Sequence, residues 1–82
     1  MMELHLTVLF FAAAADASGL RSRPVRLQKG ATVADVLSFV RAEYPALGSQ
    51  RLLTAVNEEY APSDRLLVEG DEIALFTAVS GG

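Results

Sequence analysis

The sequence predicts a small α+β domain in which one main helix packs across a mixed sheet of four or five strands. Three features of the 82-residue chain lead to this prediction. An early apolar segment alternates with a period of two, a middle segment repeats apolar residues every three or four positions, and later segments again indicate strands. A β-grasp (ubiquitin-like) arrangement closes this order most economically. A ferredoxin-like fold would need a second long helix between the later strands, and none is predicted.

Two strands are expected before the helix. One face of the first strand is apolar, and its residues are Leu4, Leu6, Val8 and Phe10. Residues 12–17 predict a helical turn, which ends at Ser18 and Gly19. Residues 24–28 alternate again, and Pro24 places this second strand at an edge of the sheet because proline cannot donate a ladder hydrogen bond.

The main helix is predicted to begin after Thr32, which occupies an N-cap position. Asp35, three residues later, complements the positive end of the helix. Pro45 ends the helix at Tyr44 or just before it, because the residue before a proline disfavours helical dihedrals. The apolar stripe of the helix consists of Val33, Val36, Leu37, Val40 and Tyr44.

The second half of the chain is expected to supply the remaining strands. Residues 52–56 predict a strand, Asn57 and Glu58 a turn, and Tyr60 the start of a short extended piece. A turn at 69–71 precedes the final strand at 73–79. The whole chain, 1–82, is therefore predicted to form one domain with a flexible C-terminal tail at about 79–82.

Composition excludes several classes of function. Cysteine is absent, which removes disulfides, thiolate zinc sites and cysteine nucleophiles, and one histidine leaves no ordinary metal site. The formal charge of −3 argues against a nucleic-acid partner. The apolar run at 6–15 is too short to span a bilayer and has no basic leader, so a cytoplasmic protein is expected.

The charged residues suggest surface roles. The small basic cluster at Arg21, Arg23 and Arg26 is expected to be a solvated strand edge. Acidic residues gather in the C-terminal half, and either turn and surface chemistry or attraction to a basic partner would explain them. His5 is expected at the surface. Asp71 and Glu72 are neighbours that would point to opposite faces of a strand, so they make a poor catalytic pair.

Strand parity places several large apolar residues on the outer face of the sheet. Leu9 and Phe11 alternate with the buried set of the first strand, and Phe76 alternates with Ile73 and Leu75. The first and last strands of a β-grasp fold are parallel neighbours, so Leu9, Phe11 and Phe76 should cluster, joined by Tyr60. Either a loop or the 12–17 turn covers them, or they form an exposed patch for a protein partner.

The chain ends on Gly81 and Gly82. A frayed terminus explains such an ending. A second interpretation is chemical: an end without side chains can thread a narrow channel and deliver its carboxylate to the bottom. A carboxylate is a poor electrophile, but adenylation makes it a good one. Sulfide or a thiol can then attack, leaving a thiocarboxylate or a thioester.

The chain resembles the small subunits of molybdopterin synthase, which are sulfur-carrier proteins of molybdenum cofactor biosynthesis. The resemblance covers most of the chain and rests on four segments: VLFFA at 8–12, AVN at 55–57, EGDEIALF at 69–76 and VSGG at 79–82. The thiazole-pathway carrier has a similar plan but is usually shorter and lacks the Phe-Phe-Ala signature.

The resemblance implies a mechanism and a set of partners. An adenylating enzyme would use ATP to activate Gly82, and a sulfurtransferase would supply the sulfur. The thiocarboxylate, with Ser80 and Gly81 inserted behind it, would enter the large synthase subunit and attack a cyclic pyranopterin precursor. The small subunit would hold no metal or tightly bound cofactor and would supply no acid–base residue. Residues matching Phe11, Tyr60 and Phe76 would dock onto the activating enzyme and the large subunit, and parity adds Leu9 to them.

Two departures from the family pattern bear on the pathway. Ala15 and Asp16 stand where relatives often carry Arg-Glu, and Thr77 and Ala78 stand where many carry Pro-Pro. Proline fixes φ, so the base of this tail is less stiff. Three alternatives remain: a carrier for tRNA thiolation or thiazole synthesis, a ubiquitin-like modifier joined to lysines, or a binding module without activation chemistry.

Overall fold

A computed structural model describes residues 2–48 and 50–77 of the chain. Its strands are β1 (Glu3–Phe10), β2 (Ser22–Gln28), β3 (Leu52–Val56), β4 (Glu59–Tyr60) and β5 (Glu72–Thr77), and its helices are α1 (Ala13–Ser18) and α2 (Val33–Glu43), followed by a 3₁₀ turn at Pro45–Leu47. The five strands form one sheet in the order β2-β1-β5-β3-β4. β1 and β5 run parallel, and the other pairs are antiparallel. This topology confirms the predicted β-grasp fold. The predicted tail at 79–82 and the end of the predicted last strand, residues 78 and 79, lie outside the described residues.

The core lies between α2 and one face of the sheet. The predicted apolar face of β1 is buried, and its central residue Val8 is completely inaccessible. Val8 pairs with Ile73 of the parallel strand β5, so the two central strands present their apolar residues to the same side. The core residues with no exposed surface are Val8, Ala14, Val33, Val36, Val40, Leu47, Ile73 and Leu75.

Local signals fix the two ends of α2. The backbone N–H of Thr32 donates to Asp35 Oδ2 at 2.8 Å, which satisfies a donor at the helix start as the sequence predicted. At the other end the N–H of Tyr44 reaches Val40 O at 2.8 Å, and Pro45 follows. The helix therefore begins and ends where the cap residue and the proline indicate.

The basic cluster on β2 differs from its prediction in one residue. Arg21 and Arg26 are exposed, but Arg23 is only partly exposed and lies on the helix side of the sheet. Its guanidinium carbon is 4.8 Å from the ring centroid of Phe39, and Nη1 is 3.1 Å from a carboxylate oxygen of Glu43. The solvated-edge prediction is wrong for Arg23 because it pairs in register with the inward-facing Val8.

No helix within residues 2–48 and 50–77 is long and apolar enough to cross a membrane.

Candidate protein-docking surface

Three aromatic rings line up on the face of the sheet that α2 leaves open. The rings of Phe11 and Phe76 have centroids 6.2 Å apart, and those of Tyr60 and Phe76 are 5.9 Å apart, both in edge-to-face orientation. Phe11 is 48% exposed and Tyr60 78%, while Phe76 between them is partly buried. We call Phe11, Phe76 and Tyr60 the aromatic cluster. The clustering predicted from strand parity is confirmed.

Smaller apolar residues surround the aromatic cluster. In register across the sheet, Leu9 of β1 lies beside Ala74 of β5, and Ala74 lies beside Ala55 of β3. Leu53, which is 37% exposed, pairs with Phe76. The sequence analysis missed Leu53, although the parity of β3 relative to β5 would have identified it. We call the aromatic cluster together with Leu9, Leu53 and Ala74 the open-face patch.

The predicted alternative, in which the 12–17 turn covers these side chains, is wrong. This turn is α1, whose buried residue Ala14 belongs to the hydrophobic core between the sheet and α2. Helix α1 is therefore anchored in the core by Ala14, and it leaves almost half of Phe11 accessible. An exposed cluster of aromatic residues of this kind is typical of a protein-binding surface.

The backbone around Phe11 is held tightly. The N–H of Phe11 donates to Leu75 O at 3.0 Å, and its carbonyl accepts from the N–H of Ala14 at 3.0 Å. The chain changes direction at Ala12, whose φ of 50° and ψ of −124° are unfavourable for any residue with a Cβ. One strained residue thus joins β1 to α1, and Phe11 stays on the open face.

The chain leaves the sheet beside this patch. Phe76 pairs with Leu53, and the next residue of β5, Thr77, pairs with Leu52. The segment that contains Ser80, Gly81 and Gly82 continues from this end of the sheet, although these three residues lie outside the described part. The open-face patch therefore lies at the end of the sheet where β5 finishes, at Thr77.

The buried carboxylate of Asp71 has a structural role. Asp71 is only 3% exposed, and its Oδ2 accepts the N–H of Val68 at 2.8 Å. Its Oδ1 accepts from Asn57 Nδ2 at 2.8 Å, and Asn57 Oδ1 accepts the N–H of Glu72 at 3.0 Å. Asp71 thus ties the turn before β5 to the turn after β3, in line with its predicted role in shaping that turn.

The other titratable groups do not assemble a reactive site in the described residues. His5 is at the surface as predicted, and its Nδ1 lies 3.2 Å from a carboxylate oxygen of the exposed Glu69. Nowhere in residues 2–48 and 50–77 do three histidine, cysteine, aspartate or glutamate side chains approach closely enough to hold a metal ion. Among the described residues, the open-face patch is therefore the candidate functional surface.

The fold and the open-face patch define a small ubiquitin-like protein with an exposed apolar face next to its C-terminal segment. More particularly, the chain belongs to the ThiS family, whose sequence model matches residues 8–82. It is 35% identical to the molybdopterin synthase sulfur carrier subunit of Chlamydomonas reinhardtii, over 96% of this chain and all of that protein. The human protein of the same name is 34% identical, over 95% of this chain and 94% of its own length. Among solved structures, SAMP1 from Haloferax volcanii superposes with a TM-score of 0.83 at 32% identity, covering 95% of this chain and 99% of that one.

Proposed function

We propose that this chain is the sulfur-carrier subunit of a molybdopterin synthase and that it works as part of a complex with a large subunit. The observation that carries the proposal is the near full-length similarity to sulfur carrier subunits of that enzyme. The exposed aromatic cluster at the end of the sheet from which the C-terminal segment continues supports it. A carrier of this kind needs a face that docks and an end that reaches into another protein.

The reactive group in this proposal is the carboxylate of Gly82. An activating enzyme transfers AMP from ATP to this carboxylate and releases pyrophosphate. A sulfurtransferase then supplies sulfur at the oxidation level of sulfide, which attacks the acyl carbon of the adenylate, displaces AMP and leaves a thiocarboxylate. In the large subunit the thiocarboxylate sulfur attacks a cyclic pyranopterin precursor. Water then cleaves the bond between this sulfur and the Gly82 acyl carbon, which leaves the sulfur on the pterin and restores the carboxylate, and two such transfers complete the dithiolene. ATP is a substrate of the activating enzyme, so the carrier itself requires no resident cofactor.

In this proposal the carrier positions the sulfur-bearing tail and does not supply acid–base residues. Its single imidazole, His5, is engaged by Glu69, and each oxygen of its buried carboxylate, Asp71, accepts a hydrogen bond. Proton transfers during sulfur insertion are therefore assigned to the large subunit. Gly81 and Ser80 let the tail enter a narrow channel, because glycine has no Cβ and serine has a small side chain.

The open-face patch is assigned to docking. Phe11, Tyr60 and Phe76 offer large rings that lose little conformational entropy on binding, and Leu9 extends the surface across β1. Aromatic residues near the centre of an interface commonly dominate its affinity. Because the patch lies at the base of the tail, docking through it directs the tail toward the partner's active site.

The proposal is tested by mass spectrometry of the carrier after incubation with its activating enzyme, ATP and a sulfur donor. The expected result is a mass gain equal to the replacement of one oxygen by sulfur, located at Gly82. A variant lacking Gly81 and Gly82 serves as the matched control and should show no gain. An unchanged mass with an enzyme that activates another carrier would contradict the proposal. Isopeptide bonds between Gly82 and lysines in cell extract, without pterin-dependent sulfur transfer, would favour the modifier alternative instead.

A further inference from the structure

Lysine is scarce in this chain and lies far from the C-terminal segment. Lys29 is the single lysine, whereas arginine occurs six times. Lys29 follows β2, and its backbone N–H donates to the carbonyl of Met2, the residue before β1, at 3.1 Å. This contact fixes Lys29 beside the start of β1. The C-terminal segment instead continues from the end of β5, which lies near the end of β1.

The register of the central strands gives the distance that the C-terminal segment would have to span to meet this lysine. Phe10, at the end of β1, pairs with Leu75, and β5 then continues to Thr77. At about 3.3 Å per strand residue, Lys29 is about 30 Å from the end of β5. Residues 78–82 reach at most about 18 Å when fully extended, and a lysine side chain adds about 6 Å. The ε-amine of Lys29 is therefore out of reach of the C-terminal carboxylate of the same molecule.

The basic residues near the end of β5 are arginines. Arg51 directly precedes Leu52, which pairs with Thr77. The carbonyl of Arg21 accepts the N–H of Phe10 at 2.8 Å. Both arginines are exposed. A side chain at either position is therefore within reach of the C-terminal segment.

Arginine and lysine differ in how they react with an activated acyl group. A guanidinium group stays protonated throughout the neutral range and is not a nucleophile, whereas about 0.5% of a lysine amine is neutral at pH 8. Such an amine attacks the acyl carbon of an adenylate, the bond to AMP breaks, one proton passes to water, and an amide remains. A short flexible linker between the two groups gives an effective concentration in the millimolar range. An arginine at the same position keeps the positive charge without this reaction.

Cysteine and histidine do not replace lysine as nucleophiles near the end of β5. Cysteine is absent from the sequence. A serine or threonine hydroxyl needs an adjacent base to become a good nucleophile. The single imidazole, His5, lies near the start of β1, and its Nδ1 is 3.2 Å from a carboxylate oxygen of Glu69. An amine would therefore be the side-chain group that competes most strongly with sulfur.

We propose that Arg21 and Arg51 protect the activated carrier from acylating itself, because they place guanidinium groups rather than amines within reach of Gly82. The acyl group then passes to sulfur and is not lost to an internal amide. This inference rests on the proposed function, which supplies the activated acyl group. It assigns to the two residues a role in the selectivity of the reaction that depends on the type of cation and not on its charge.

The test uses the full-length carrier with a thioester at Gly82, which stands for the activated acyl group and needs no partner. Arg51→Lys should form an internal amide at pH 8, seen as a protein lighter than its carboxylate form by one water, with a cross-link between position 51 and Gly82. The matched control is Arg26→Lys, which makes the same exchange at an exposed position that pairs with His5. Its amide should form at least about 10-fold more slowly, because a linker that barely spans two sites gives little effective concentration.

The unaltered carrier should return only its carboxylate form. If Arg51→Lys forms no amide, or forms it no faster than Arg26→Lys, the protective role is overturned. If the unaltered carrier forms an amide at Lys29 at a rate independent of protein concentration, its lysine is within reach and the proposal is also overturned. Circular dichroism of both variants verifies that each is folded.

A second measurement uses the variants in the proposed reaction itself. Each is incubated with the activating enzyme, ATP and a sulfur donor, and the thiocarboxylate is quantified by mass spectrometry. Arg51→Lys should lose about half or more of its thiocarboxylate to the internal amide, because intramolecular attack is strongly favoured, while Arg26→Lys should match the unaltered carrier. A full yield from Arg51→Lys would overturn the protective role while the carrier function stands. If the enzyme does not activate even the unaltered carrier, the proposed function fails, and the result with the thioester is unaffected.

Discussion

The polar and apolar groups at the two ends of the sheet are satisfied in different ways. The tail end is the end where β1 and β5 finish, and the far end is the end where they begin. At the far end, the carboxylate of Asp71 is buried with a hydrogen bond on each oxygen, and Glu69 binds both the backbone and the ring of His5. At the tail end, the aromatic cluster is exposed and a strained residue, Ala12, holds Phe11 in place. The far end satisfies its groups within the chain, whereas the tail end keeps surface that only another protein can bury. This contrast predicts that mutations will affect stability at one end and binding at the other.

The largest effect is expected from Asp71→Ala at the far end. The change leaves the N–H of Val68 and the side-chain amide of Asn57 without their acceptor in a buried place. Losing a charged acceptor to two donors should lower the free energy of unfolding by about 3 kcal/mol. Urea denaturation followed by circular dichroism measures it.

A matched control for this variant stands next to it in the sequence. Glu72→Ala makes the same charge change at an exposed position and should alter stability by less than about 0.5 kcal/mol. At a temperature where both variants are folded, their affinity for the large subunit should be nearly unchanged. A large loss of affinity in folded Asp71→Ala would show that the far end takes part in docking. It would contradict the expectation that mutations at this end affect stability alone.

A smaller effect, on binding affinity rather than on stability, is expected from Tyr60→Ala at the tail end. Because Tyr60 is 78% exposed, its removal should change the free energy of unfolding by less than about 0.5 kcal/mol. Binding to the large subunit should weaken about 30-fold, since buried tyrosines at interface centres commonly contribute about 2 kcal/mol. Isothermal titration calorimetry measures this loss.

The control for Tyr60→Ala is another highly exposed apolar residue, which lies away from the patch. Leu66 is 64% exposed and pairs with Thr32 beside the start of α2, at the far end. Leu66→Ala should leave the affinity within about 2-fold of the unaltered protein. Equal weakening by the two variants would mean that the partner covers both ends.

The sequence was sufficient for features that depend on periodicity and on short-range signals. Strand parity placed Phe11 and Phe76 on the open face, and Thr32 and Pro45 bounded the main helix. Leu53 was missed because its strand is apolar at nearly every position, so only its register with β5 shows which face it occupies.

Other features were out of reach because they depend on contacts between distant residues or on backbone geometry. The burial of Asp71 requires Asn57, which is 14 residues away in sequence. The inward placement of Arg23 follows from pairing with Val8 rather than from any local signal. The strain at Ala12 leaves no trace in composition, because alanine is common in every type of element.

That strain provides the smallest and most specific of the expected effects. Ala12→Gly should raise the free energy of unfolding by about 1 kcal/mol, because glycine tolerates a φ of 50° and relief of strain outweighs the added entropy of the unfolded chain. Ala13→Gly, one residue later at the start of α1, should lower it by about 0.5 to 1 kcal/mol, the usual helix penalty of glycine. Thermal unfolding of the pair therefore gives opposite signs at adjacent alanines. If both variants are destabilised, Ala12 is not strained in solution, and the tail end holds Phe11 in place through the hydrogen bonds of its backbone alone.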